Sequence, residues 1–136
     1  MGDLVEDLTR GNATEVKVLL ASVALALALY QLTVIAVAYG KLRLGFLDPE
    51  PASTAHRAVG DTIALLLVCT GVMCVSVYGF EGAHAVAGTA LLALLAFKIS
   101  VVRRDFGLGR FLPALGISVF VLLCVTWATS AGSFLA

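Results

Sequence analysis

Four long stretches of apolar residues, separated by short polar segments, dominate this sequence. They cover about residues 15–40, 54–79, 82–103 and 111–135. Each stretch is long enough to cross roughly 30 Å of bilayer hydrocarbon as an α-helix rising about 1.5 Å per residue. The pattern predicts an all-α integral membrane protein, with residues 1–136 forming a single transmembrane domain as an up-down bundle of four helices.

Composition supports the membrane assignment. Apolar residues make up 60% of the chain and charged residues only 13%, with a formal net charge of +0. A water-soluble domain of this size could not cover its surface with so few polar groups. The expected surroundings are therefore the lipid bilayer, with no nucleic acid partner.

The basic residues predict the orientation of the bundle. Seven of the nine flank the first and third connections between the apolar stretches, and only Arg10 and Lys17 lie at the other ends. The seven are Lys41, Arg43, Arg57, Lys98, Arg103, Arg104 and Arg110. By the positive-inside rule, those two connections are cytoplasmic and both termini are extracytoplasmic in a bacterial cytoplasmic membrane. The first residues are acidic, unlike a signal peptide, so the first span is expected to be retained.

Two similar six-residue segments contain the only two histidines of the sequence. Residues 55–60 read AHRAVG and residues 83–88 read AHAVAG, which places His56 and His84 in the same His-x-x-x-Gly spacing. Because the second and third helices are antiparallel, the two histidines are predicted to lie near opposite ends of the bundle, roughly 30 Å apart. One chain therefore cannot hold a single haem between them. Ionisable groups at membrane depth are nevertheless functional candidates.

The segments 55–81, 83–104, 112–116 and 127–130 resemble a family of small four-span bacterial membrane proteins with His-x-x-x-Gly motifs. That motif is also loosely similar to b561-like membrane cytochromes. In the family the position of Met73 is often histidine, and neighbouring genes can encode Rieske-type iron–sulfur proteins. The resemblance implies a b-type haem with His84 as an axial ligand to its iron. Methionine at position 73 either removes a ligand or gives a His/Met pair, which raises the reduction potential.

Asp61 and Lys98 are the two charged residues deepest in the predicted spans, at similar depth near the cytoplasmic side. An ion pair between them, or extension of Lys98 toward the membrane surface, is one interpretation. The other is a proton site or quinone-headgroup site that they form together with His56.

The remaining polar or reactive residues inside the spans are interpreted as packing residues. Tyr30 and Gln31 fall in the middle of the first span and are predicted to face protein. The three cysteines are interpreted as small apolar fillers, because none has metal-ligand spacing. They are Cys69, Cys74 and Cys124.

These observations favour a b-type haem protein that passes electrons between quinol and an extracytoplasmic redox partner, such as a Rieske-type protein. His84 is then one axial ligand, and Met73 or a second copy in a homodimer supplies the other. His56 is a cytoplasmic-side ligand or proton group. The alternative hypothesis is a cofactor-free structural subunit of a membrane complex, or a small transporter. The sequence leaves open whether the chain is a redox enzyme subunit and how many haems it holds.

Overall fold

Four long apolar helices and one short helix make up the protein. The computed structural model describes residues 1–43, 45, 49–104 and 107–135. The helices are α1 (Gly2–Thr9), α2 (Ala13–Ala38), α3 (Pro49–Tyr78), α4 (Gly82–Arg104) and α5 (Leu112–Leu135), with a 3₁₀ turn at Gly109–Phe111. Helices α2 to α5 are long and apolar enough to cross a membrane. They form an up-down bundle, which confirms the predicted all-helical architecture of a multi-pass membrane protein.

The N-terminal segment, expected only to be acidic, folds as α1 and packs against the end of α3. Val5 is buried. Gly2 lies so close to α3 that an added Cβ would stand 3.2 Å from the Ser76 carbonyl oxygen. The helix ends at Arg10 and Gly11, which both have positive φ angles. Sequence reasoning missed this helix because a single short helix of mixed polarity carries little hydrophobic signal.

A three-residue turn joins α3 to α4. Gly79 follows the last residue of α3 with φ 71°, and Gly82 begins α4 with φ 78°. Glycine adopts such left-handed backbone conformations without the steric cost that other residues incur. The end of α3 therefore agrees with the prediction, whereas its start at Pro49 extends beyond the apolar part, Thr54–Tyr78.

An apolar core fills the middle of the bundle and separates its two ends. Its buried members are Ala24, Ala28, Ile63, Leu67, Leu91, Leu95, Val119 and Leu123. Helices α2 and α3 pack most closely, whereas α3 and α4 approach each other less closely although a short turn joins them. Leu92 contributes to this separation, because its Cδ1 lies 3.1 Å from where a Cβ on Gly71 would stand. The space between α3 and α4 is consequently the loosest interface between neighbouring helices of this bundle.

The middle of α2 shows how helix geometry separates neighbouring residues. Gln31 is 9% exposed and faces protein, as predicted, whereas Tyr30 is 46% exposed and faces outward. The prediction for Tyr30 was wrong because adjacent residues on an α-helix point about 100° apart, so both cannot face the same interior.

A hydrogen bond between Trp127 and Ser22 links α5 to α2. The indole Nε1 donates to the Ser22 hydroxyl over 3.0 Å. Hydrogen bonds between membrane helices contribute about 0.6 kcal/mol on average. We expect a double-mutant cycle of Trp127→Phe and Ser22→Ala, measured as the free energy of unfolding in detergent, to give a coupling energy of about that size. Strictly additive effects of the two substitutions would contradict the bond.

Candidate polar sites at the two ends of the bundle

Polar residues, together with two glycines that they approach, form a cluster at each end of the bundle, above and below the apolar core. We call the end that carries the α3–α4 turn the hairpin end and the opposite end the loop end. The hairpin-end cluster consists of Thr14, Lys17, Cys74, Tyr78, His84 and Thr129. The loop-end cluster consists of Gln31, His56, Gly60, Lys98 and Gly116. Each cluster receives residues from more than two helices, and each contains one of the two histidines.

Tyr78 joins the start of α2 to the end of α3 in the hairpin-end cluster. Its hydroxyl forms a hydrogen bond with the Thr14 hydroxyl. The Lys17 ammonium lies 4.4 Å from the centre of the Tyr78 ring, a cation–π contact. Asn12 is the N-cap residue of α2 and makes no side-chain cap hydrogen bond. The hydrogen bond of Thr14 links α2 to α3.

The hydrogen bonds of His84 involve both of its ring nitrogens. Nδ1 lies 3.3 Å from the Thr129 hydroxyl oxygen. That hydroxyl also lies 3.0 Å from the backbone carbonyls of Val125 and Thr126 on α5, to which it can donate its single proton. When it does, its oxygen accepts from an Nδ1–H group of His84, and the Nε2 atom of that tautomer keeps a lone pair that a metal can bind.

The thiol of Cys74 occupies the place in front of that lone pair. Its Sγ lies 3.8 Å from Nε2 of His84, and in the Nδ1–H tautomer of the imidazole the S–H group is the donor. Met73, the expected partner of His84, leaves α3 about 100° away from Cys74. Cys74 is thus a functional candidate that sequence reasoning missed, because it was interpreted as a filler. Its position four residues before Tyr78, on the same face of α3, was the available signal.

The distance between Cys74 and His84 bears directly on haem binding. An iron bonded to Nε2 would need the space in front of this atom, where the Cys74 Sγ lies 3.8 Å away. An iron at His84 therefore fits the orientation of the imidazole but requires the Cys74 thiol to move aside. Within the described part of the chain, no group of three or more His, Cys, Asp or Glu residues forms a metal site.

Gln31 and Gly60 form the closest contact in the loop-end cluster. The side-chain Nε2 of Gln31 donates a hydrogen bond of 2.7 Å to the backbone carbonyl of His56. A Cβ on Gly60 would stand 3.1 Å from that Nε2. The glycine of the first His-x-x-x-Gly motif therefore makes room for a side chain of α2 to reach the backbone of α3. The Gly88 position in the second motif is more open, because the nearest atom is Thr126 Cγ2 at 3.9 Å.

Lys98 reaches the loop-end cluster from α4. Its Nζ lies 3.7 Å from where a Cβ on Gly116 of α5 would stand. The lysine is also close enough to His56 for its charge to act on the imidazole. The side chain is half-buried.

Asp61 does not join this cluster. Its side chain is exposed, on the outer surface of α3. Between Asp61 and Lys98, both of which the structure describes, there is no ion pair. Similar depth along antiparallel helices was expected for the two residues, but depth alone does not determine which face of the helix a residue occupies. Lys98 is therefore half-buried beside Gly116 of α5, whereas the Asp61 side chain is exposed.

The sequence matches the DUF6529 family, a family of unknown function, over residues 5–136. The chain belongs to the DUF6529 family. No curated protein and no solved structure matches it. The two polar clusters and the four helices that hold them are therefore the basis for a functional proposal for this DUF6529 protein.

A shallow apolar groove on α4 of the DUF6529 chain lies away from both clusters. It has a volume of about 460 Å³. Its lining residues are Phe80, Gly82, Ala85, Val86, Thr89, Ala90 and Ala93. On the helix, His84 points to the opposite side from these residues. The groove and the histidine are thus separate features, and the groove lets another helix approach closely.

Proposed function

We propose that this DUF6529 protein is an electron-transfer protein of the bacterial cytoplasmic membrane that binds a b-type haem at the hairpin end. It passes electrons between quinol and an extracytoplasmic redox partner, for example a Rieske-type protein. The supporting observation is the geometry at His84, whose Nδ1 lies 3.3 Å from the Thr129 hydroxyl oxygen, so that the Nδ1–H tautomer leaves the lone pair of Nε2 available. Metal-binding histidines are commonly held in this way by a hydrogen bond from their other ring nitrogen.

The residues around His84 each have a defined part in this proposal. His84 would hold the haem iron through Nε2, and Thr129 would orient its ring through Nδ1. Lys17 places a positive charge near the imidazole, which favours an anionic group such as a haem propionate. The haem, when bound, supplies the one-electron redox chemistry that the side chains of this cluster lack.

Charge asymmetry supports an orientation for this site. The basic residues lie mostly at the loop end, so the positive-inside rule places the loop end in the cytoplasm. The hairpin end, the two chain termini and His84 then face the extracytoplasmic side. A haem at His84 would lie close to the membrane surface on which an extracytoplasmic redox partner docks.

Cys74 should be dispensable for haem binding, because its thiol occupies the space that the iron needs. We expect Cys74→Ala to retain haem at the wild-type ratio to protein, or at a higher one. Haem content is measured by the pyridine haemochrome spectrum of the purified variant. Cys124→Ala, a cysteine on α5 outside the hairpin-end cluster, is the matched control. Loss of haem from Cys74→Ala alone would show that the thiol is itself a ligand.

Met73 and a second copy of the chain remain the two sources of the second axial ligand. If Met73 ligates, Met73→His should lower the haem reduction potential, because bis-His ligation gives a lower potential than His/Met ligation. If His84 of a second copy ligates, the substitution should leave the potential unchanged, and the haem-loaded protein should be a dimer. Redox titration of the absorption spectrum, with the mass of the detergent-solubilised protein, distinguishes the two.

Electron transfer from quinol is the functional test. Purified protein loaded with haem is mixed anaerobically with a reduced short-chain quinol, and the reduced α band is followed with time. Reduction within seconds is expected, and chemical reduction by dithionite afterwards gives the full amplitude. A haem that dithionite reduces but quinol does not would contradict the proposed electron donor.

The groove on α4 favours a second candidate function, that of a cofactor-free structural subunit of a membrane complex. Small residues along a helix face let another transmembrane helix pack closely against it. In that case the two polar clusters only fasten the helices to one another. Purified protein without haem, recovered from haem-replete cells, would support this alternative.

A further inference from the structure

A buried amide oxygen in the loop-end cluster lacks a hydrogen-bond partner. Gln31 is 9% exposed, and its Oε1 has no partner, although its Nε2 is bonded to the His56 carbonyl. A backbone carbonyl only accepts, so Gln31 must turn its NH₂ group toward His56. The oxygen is consequently turned toward another part of the cluster as an unused acceptor.

His56 contributes a second buried atom of the same kind. Its Nδ1 is buried and has no partner. An imidazole nitrogen accepts or donates a hydrogen bond according to its tautomer. Unpaired buried polar atoms are costly where no water can reach them. Because Gln31 is bonded to His56 itself, both unpaired atoms belong to one small region of the bundle.

Lys98 adds a cation to this region. It is half-buried, its Nζ lies 3.7 Å from where a Cβ on Gly116 of α5 would stand, and no ion pair joins it to any residue that the structure describes. Gln31 lies seven residues from the end of α2 and Lys98 six residues from the end of α4. At about 1.5 Å per residue, both lie about 10 Å inside their helix ends. The three groups are thus at a common depth.

We propose that the loop-end cluster binds one oxygen of a quinone or quinol headgroup. A quinone carbonyl accepts from the Lys98 ammonium and from His56 when Nδ1 carries the proton. A quinol hydroxyl donates to Gln31 Oε1, or to Nδ1 of His56 when that nitrogen carries no proton. The set therefore satisfies both redox forms of the same ligand. This inference rests on the proposed function, for which it puts the quinol site at the opposite end of the bundle from His84.

The ligand has a path from the lipid to this site. His56 is on α3 and Lys98 on α4, and these two helices approach each other less closely than the tightly packed α2 and α3. Both side chains are half-buried, so the site is near the surface between the two helices. Asp61 lies on the exposed face of α3 and takes no part in binding.

Photolabelling of the full chain in lipid nanodiscs tests the site without using haem chemistry. The probe is a short-chain benzoquinone with a photoreactive azido group, competed by unlabelled decylubiquinone, and labelled peptides are mapped by mass spectrometry. We expect saturable labelling near the loop ends of α3 and α4. Gln31→Leu and His56→Leu should each raise the apparent Kd roughly tenfold, as expected for loss of one hydrogen bond. Thr33→Val, on the exposed face of α2, and Asp61→Asn should leave it unchanged.

The outcomes separate this inference from the proposed haem. Saturable labelling that Gln31→Leu weakens, in protein without haem, would support the quinone site and contradict the haem. Unsaturable labelling, or labelling that neither substitution changes in folded protein, would overturn the inference. The unpaired atoms would then bind only a water molecule. Circular dichroism confirms that each variant is folded, and Gln31→Leu replaces a buried polar side chain with an apolar one of similar size. Quinol reduction of the haem is measured separately.

Discussion

Replacing His84 with alanine should remove the haem. The substitution deletes Nε2, which carries the lone pair proposed to bind iron, and leaves the core residues of the bundle untouched. We expect the haem content of purified His84→Ala to fall at least tenfold, with loss of the low-spin absorption bands. The measurement is the ratio of haem to protein after purification from haem-replete cells.

Thr89→Val is the matched control for this experiment. Thr89 is on the same helix, lines the groove on the other side, and its hydroxyl bonds only to the Ala85 carbonyl one turn earlier. This variant should keep its haem. Intact ligation spectra in His84→Ala would show that iron is bound elsewhere, and loss of haem from both variants would point to a general loss of folding.

The second large effect is expected at Gly60, where α2 meets α3. A Cβ at this position would stand 3.1 Å from Gln31 Nε2. That amide is buried and bonded to the His56 carbonyl, so it cannot move aside without breaking the bond. Gly60→Ala should therefore lower the free energy of unfolding by about 1–3 kcal/mol, the cost of overpacking together with a broken buried hydrogen bond.

Two other helical glycines provide controls for Gly60→Ala. Gly132 has no atom within 4 Å of its added Cβ, so Gly132→Ala should be neutral or slightly stabilising. At Gly71 the crowding atom is the terminal Cδ1 of Leu92, which another rotamer can move away, so the cost should be smaller than at Gly60. Equal stability of all three variants in reversible unfolding experiments would contradict the packing described for α2 and α3.

The four spanning helices were predictable because a membrane requires long, uninterrupted apolar stretches. The end of α3 was predictable as well, because Gly79 adopts a backbone conformation that glycine tolerates. In contrast, α1 was missed, since eight residues of mixed polarity do not stand out beside such strong signals. Its place depends on contact with α3, which the local sequence does not encode.

The polar clusters were harder to predict, because they depend on the rotation of each helix about its axis. The sequence indicated that Lys98 and Asp61 lie at similar depth, and only the packed bundle shows that they occupy different faces. The family resemblance pointed to Met73 as the partner of His84, whereas the adjacent Cys74 faces the imidazole. A shift of one position changes the direction of a side chain by about 100°. The inward orientation of Gln31 was easier to predict, because a lone amide in the middle of an apolar span needs a hydrogen-bond partner.

The most direct test of the central proposal is a reduced-minus-oxidised absorption spectrum of the purified protein, with haem quantified per chain. The proposal predicts a Soret band with sharp α and β bands in the reduced protein. It also predicts one haem per chain if Met73 completes the site, or one haem per two chains if a second His84 does. A colourless protein purified from haem-replete cells would contradict the haem proposal. The two clusters would then serve only as contacts that hold the helices together.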